Sequence, residues 1–114
     1  MAQKISPTKA LKLYDNYDFK HVALSKLINK EDSRSLDLTL QELQDYIDYL
    51  KNKNVGIDGI RIYFGSYANN SGPNGKSSND LTTVFLAPTK GGENNLTLDV
   101  LNYIDPTAPP KKYE

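Results

Sequence analysis

The chain has no cysteine and no tryptophan, one histidine, one methionine and a formal net charge of zero. Each absence excludes something. Without cysteine there are no disulfides, thiolate nucleophiles, iron–sulfur clusters or cysteine zinc sites, and the composition fits a reducing compartment. With His21 as the only histidine, a transition-metal site would have to rest on carboxylates, so neither a metal nor a cofactor is expected. Fourteen basic residues cancel fourteen acidic ones. No bulk field therefore draws in nucleic acid or an anionic membrane, and Lys9, Lys12, Lys20 and Lys26 are spread around their helix rather than lined up. No apolar run approaches the roughly 20 residues of a membrane span. The segment Met1 to Pro7 carries no apolar stretch of a secretory signal. These features together predict a cytoplasmic protein without a membrane partner.

The 114 residues are 38% apolar and 25% charged, an ordinary globular composition for one domain. A domain of this size buries about 65% of its unfolded surface, enough for a core without staples. The domain is placed at residues 1–105. Residues 106–114, with Pro106, Pro109 and Pro110, read as an extended tail.

Local signals order the domain. Ser6-Pro7 is a helix start, with serine as N-cap and proline at the first helical position. An apolar stripe through Tyr14, Tyr17, Val22 and Leu27 then predicts two short helices or one bent helix from about Pro7 to Asn29, with Asp18 as a second N-cap or a kink. Thr39-Leu40-Gln41-Glu42 is a capping box, and Leu38 and Leu43 occupy the positions of a hydrophobic staple. Leu40, Leu43, Ile47 and Leu50 are read as the buried face of this helix, with Tyr46 beside it; Tyr49, off the main stripe, is read as a core-edge tyrosine, with a self-association surface as the alternative. Gly56 stops it.

Ile60 to Tyr67 alternates as a strand. Ile60, Ile62 and Phe64 are assigned to the core face; Arg61, Tyr63 and Gly65 point the other way. Leu81 to Ala87 is apolar on both faces and reads as a central partner strand ended by Pro88. A third strand is expected either from Leu36-Asp37-Leu38 or from the region of Leu96, and Thr89 to Asn95 reads as a polar loop.

Two motifs carry chemistry in principle. Gly72-Pro73-Asn74-Gly75-Lys76-Ser77 resembles the end of a phosphate-binding loop. Asn70 stands where the first glycine belongs, and a strand follows where a helix N-terminus should face the phosphate. The segment is therefore read as a long, flexible hairpin connection. His21 is read as a partly exposed helix residue. The second motif is Arg61 beside Tyr63. Arg61 and Arg34 are the only arginines, and an arginine flanked by tyrosine on a sheet face can grip a carboxylate or phosphate. The reading preferred for Arg61 is nevertheless an internal ion pair with an acid such as Asp32, Asp37 or Asp58.

Asp32-Ser33-Arg34-Ser35, Leu40 to Ile47, Gly59 to Tyr67 and Thr83-Val84-Phe85-Leu86-Ala87-Pro88-Thr89 together resemble a family of small uncharacterised bacterial proteins, from about Asp32 onward. The resemblance implies one cytosolic bacterial domain. It implies no activity, cofactor or catalytic residue.

The sequence therefore predicts an α+β fold: a small antiparallel sheet built on a long-loop hairpin, about 59–67 and 81–87, packed by two or three helices. The expected function is a non-enzymatic binding or protein-interaction module that pairs with itself or another protein. The alternative is a binder of, or enzyme for, a small anionic ligand, with Arg61, Tyr63, Arg34 and Tyr67 as its candidate residues.

Overall fold

A computed structural model describes residues 2–73, 75–102 and 112–114. The tail assigned to 106–114 lies outside the described residues as far as position 111. Helix α1 runs from Pro7–Ile28, helix α2 from Leu40–Asn52, and strands β1, β2 and β3 from Gly59–Ser66, Thr82–Lys90 and Glu93–Asn94. A 3-10 turn at Gly75–Ser78 sits in the β1–β2 connection. This is the α+β arrangement expected, two helices with a three-stranded antiparallel sheet in the order β1-β2-β3.

The helices begin where their caps dictate. The Ser6 side chain accepts the Lys9 N–H at 3.2 Å, with Pro7 following. Asn29, with φ of 57°, closes α1 in the left-handed region. Asp18 neither caps nor breaks α1, which runs through it as one helix; its carboxylate is engaged by Arg34. In α2 the capping box is formed both ways: the Glu42 N–H donates to Thr39 Oγ1 at 3.0 Å and the Thr39 N–H to Glu42 Oε1 at 3.1 Å. Each such bond is worth about 1 kcal/mol.

The core forms where α2 meets β2. Tyr46, Leu50 and Leu86 are its buried centre, with Leu36, Leu38, Leu43, Leu98 and Leu101 packed around them. Leu40, expected on this face, is 88% exposed. It occupies the first helical position, and helix side chains lean back toward the N-terminus, which carries it past the sheet. Tyr49 sits at the edge of the core, as its preferred reading has it. It stacks on Tyr46 with ring centroids 5.9 Å apart and accepts the Asp99 N–H at 3.0 Å.

Two strand limits differ from the sequence reading. Pro88 does not end β2, which continues to Lys90. Pro88 is paired with Ile60 on one side, and its carbonyl accepts the Asn95 N–H on the other. Its missing N–H falls at the end of the short β3 ladder, where proline is tolerated. The stretch from Thr89 to Asn95 is no open loop. Gly91 and Gly92, with φ of 55° and 82°, form the two-residue turn of a second hairpin, the pairing that two positive φ values favour. The third strand is thus β3. Downstream, Leu101 exchanges both backbone hydrogen bonds with Leu86, at 2.9 and 3.0 Å.

The β1–β2 connection is built rather than flexible. The Asp80 N–H donates to the Tyr67 carbonyl at 2.8 Å, and the Tyr67 N–H to the Leu81 carbonyl at 3.2 Å. Asn70 and Asn79 bond each other twice. Gly72 is required: a Cβ there would collide with Ser78 and press on the Tyr67 ring. The phosphate-loop likeness accordingly ends in a turn that packs on its own hairpin.

The accessible surface is 8439 Å², against about 6,300 Å² for a compact monomer of this mass. The Cα radius of gyration is 15.8 Å, against about 13 Å for a compact domain of this length. Large apolar side chains stand in that surface, among them Phe19 at 81%, Leu27 at 79% and Phe64 at 82% exposed.

Candidate functional site

In β1 the alternation was read correctly, but the apolar row is not buried. Register pairs Ile60 with Pro88, Ile62 with Leu86 and Phe64 with Val84, so the row does share its sheet face with the core. An α-helix about 10 Å wide spans about two strand spacings. Here α2 sits over β2 and the Leu98–Leu101 segment, leaving β1 outside its cover. Exposure rises along the strand from 37% at Ile60 through 60% at Ile62 to 82% at Phe64. Ile60 is the most covered because it still borders Ile47, Leu50 and Ile57.

The backbone of β1 is open as well. Leu86 gives both its N–H and its C=O to Leu101. Residues in an antiparallel ladder alternate between bonding one neighbour and the other. The β1 residue opposite Leu86, Ile62, therefore points its N–H and C=O off the sheet, as do Ile60 and Phe64. Among the described residues no strand pairs with β1 on that side. Its free edge carries no proline, and the residues that present it are apolar.

The opposite face of the hairpin holds Arg61 and Tyr63. Arg61 donates to Asn94 Oδ1 at 2.9 Å and to the Gly92 carbonyl at 2.8 Å, reaching across the sheet to the second hairpin. The Asn94 amide donates to the Tyr63 hydroxyl at 2.7 Å, and the Tyr63 ring stacks on Phe85 at 5.2 Å. The Asn94 hydrogen bond first, then Arg61, hold the Tyr63 phenol below its usual value. No internal ion pair forms: among the described residues Arg61 has no acid within ion-pairing distance. Its fork is spent on neutral oxygens of a turn.

Arg34 and Tyr67 do not join them. Tyr67 is 5% exposed, and its hydroxyl bonds Asn102 and Thr83. Arg34 lies by α1, on the side of the sheet that carries Phe64 and Val84. It donates to the Tyr14 hydroxyl at 2.7 Å and to Asp18 at 2.8 Å. That hydrogen bond lowers the Asp18 carboxyl below its usual range and raises the guanidinium. The four candidates thus fall in three places.

Beside Arg34 the structure assembles a cluster the sequence reading missed. His21 is 2% exposed, not partly exposed, and its Nε2–H donates to the Asp32 carbonyl at 3.0 Å. Asp32 is 1% exposed. Its carboxylate accepts the Ser33 N–H at 2.8 Å, the Thr82 N–H at 2.7 Å and the Thr82 hydroxyl at 2.6 Å. Two buried polar atoms have no partner: His21 Nδ1 and Ser33 Oγ. Burial first, then the nearby Asp32, raises the Tyr17 phenol.

Next to this cluster a cavity of about 760 Å³ lies between α1 and the sheet. Leu24, Leu36, Phe64 and Val84 give it an apolar wall, and Ser33, Lys20 and Arg34 border it. No group of three or more histidine, aspartate or glutamate side chains among the described residues could hold a metal ion. None of the helices among those residues is long and apolar enough to cross a membrane.

Comparison with protein-family models, with curated proteins and with solved structures gives no match for this chain.

Proposed function

We propose that the chain is a non-enzymatic interaction module that pairs with a second copy of itself through the free edge of β1. The carrying observation is the coincidence of an open strand edge with an exposed apolar row, Ile60, Ile62 and Phe64. Proteins that stay monomeric blunt such edges with charges, prolines or bulges; β1 carries none on the residues that present its edge.

A second copy suits the edge because β1 is self-complementary about a two-fold axis. With Ile62 opposite its own copy, Ile60 faces Phe64 of the other protomer on the apolar side. On the opposite side Arg61 falls across from Tyr63. A pairing centred on Arg61 instead sets two like charges together, which is destabilising. The joined sheets make six antiparallel strands from two sets of three, with one continuous apolar face between the two α2 helices.

The test is the mass in solution by light scattering after size exclusion. The chain of 12.8 kDa is expected to run at twice that mass. Ile62→Lys sets a charge on the edge at a position already 60% exposed, and is expected to give a folded monomer. A strictly monomeric unaltered chain at high concentration would overturn the reading.

Work in a reducing bacterial cytoplasm belongs to the same proposal, supported by the lack of cysteine and by the family resemblance of the Gly59 to Tyr67 block. The alternative, a small anionic-ligand site at Arg61 and Tyr63, has weaker support. Arg61 is open to solvent and without an acid partner, yet Asn94 and Gly92 already occupy its fork.

A further inference from the structure

The cavity under α1 shares Phe64 with the apolar row of β1 but draws its polar end from Ser33 and Lys20, and it supports a second proposal. Its wall is apolar through Leu24, Leu36, Phe64 and Val84, and its volume of about 760 Å³ lies in the range of small-molecule sites. Two features give the cavity a polar end. Ser33 is 6% exposed, borders the cavity, and its hydroxyl oxygen has no hydrogen-bond partner. A buried hydroxyl left unpaired carries a desolvation cost that a bound acceptor removes. Lys20 and Arg34 border the cavity, while no acidic residue does. Arg34 is neutralised by Asp18. Lys20 forms no ion pair among the described residues, so it supplies an uncompensated positive charge at the rim.

We infer that this cavity binds a medium-chain carboxylate, with the alkyl chain along Leu24, Leu36, Phe64 and Val84 and the head group between the Ser33 hydroxyl and the Lys20 ammonium. The unpartnered Ser33 hydroxyl and the Lys20 ammonium suit the two oxygens of a single-charged carboxylate. The lining also carries the hydroxyls of Tyr17, Ser35, Ser66 and Thr82, and that of Thr82 is committed to Asp32. The alkyl chain lies along the apolar wall, where it needs no donor or acceptor.

The experiment titrates the isotope-labelled protein with decanoate, below its micellar concentration, and in parallel with neutral decanol, following the backbone amide spectrum. Saturable shifts are expected at Leu24, Ser33, Leu36, Phe64 and Val84. Ser33→Ala is expected to weaken both ligands. Lys20→Gln, a change at an exposed position, is expected to weaken decanoate about tenfold and leave decanol within about twofold. Repeating the titration in Ile62→Lys, which does not border the cavity, keeps the result apart from the fate of the homodimer. Shifts that never saturate, shifts that gather on Phe19 and Leu27 instead, or decanoate binding indifferent to Lys20 would each overturn the inference. So would the absence of any shift.

Discussion

Asp32 is a single carboxylate that takes three protein donors while 1% of it is exposed. It ties the end of the α1–α2 connection to the first residue of β2, 50 positions away. Removing it leaves the Ser33 N–H and both Thr82 donors unpaired in a dry place, and each such group costs about 1–3 kcal/mol. Asp32→Ala is therefore expected to lower stability by about 3 kcal/mol, read as a shift of the urea midpoint at constant slope. Asp32→Asn keeps the acceptor for both N–H groups and should lose only about 1 kcal/mol. A loss below about 1 kcal/mol for the alanine variant would mean that water replaces the carboxylate. None of this was legible in the sequence. Asp32 lies in the run Lys30 to Arg34, whose composition is that of a solvated turn, and periodicity carries no sign of a buried acid. For Arg61 the favoured reading, an internal ion pair, fails: its partners are the Asn94 side-chain oxygen and the Gly92 carbonyl. Only the Gly91-Gly92 hairpin brings those within reach, and that turn had been read as loop.

At the level of elements, one hydroxyl adds a polar tie to the apolar join between α2 and the sheet. Tyr46 donates to the Asp99 carbonyl at 2.8 Å and to the Leu86 carbonyl at 3.2 Å, so it touches the helix's two neighbours at once. Burial first, then Tyr49 and Asp99, raise its phenol above the ordinary 10.0. The folded state thus prefers the neutral form. Its contribution is complete below about pH 10 and is lost as pH rises through the raised folded value. Tyr46→Phe should lower stability at neutral pH by about 1 kcal/mol. It should also flatten part of the alkaline loss, with Tyr17 supplying the remainder. Denaturation followed from neutral to alkaline pH checks both; a variant with the same alkaline slope as the unaltered chain would refute the assignment. Elements were the scale most open to sequence reading. The caps of both helices, the β1 alternation and the β1–β2 pairing follow from local chemistry. Pro88 and Leu40 were misjudged because their surroundings are set by tertiary neighbours: the end of a short ladder in one case, the edge of the sheet in the other.

For the whole molecule the decisive quantity is coverage. The pattern of Ile60, Ile62 and Phe64 says that one face is apolar, but not whether this chain possesses enough helix to cover it. With α2 centred on β2, it does not. If a second copy supplies the missing cover, folding and association are linked, and thermal stability must rise with protein concentration. The melting temperature is expected to climb by a few degrees over a tenfold increase in concentration, and in Ile62→Lys to stay constant. Calorimetry across that range decides it; a concentration-independent melt for the unaltered chain would separate folding from pairing.

The far side of the sheet sets a limit on how many copies can join. Leu86 is already occupied by Leu101, and the outermost strand there, Glu93–Asn94, is two residues long and carries a charge. A sheet that grows from both margins has no natural stopping point and runs toward fibres. One with a single usable margin spends it in the first encounter. On the proposed pairing through β1, the short second hairpin and the Leu101 bridge would act as a terminator and hold the assembly to two copies.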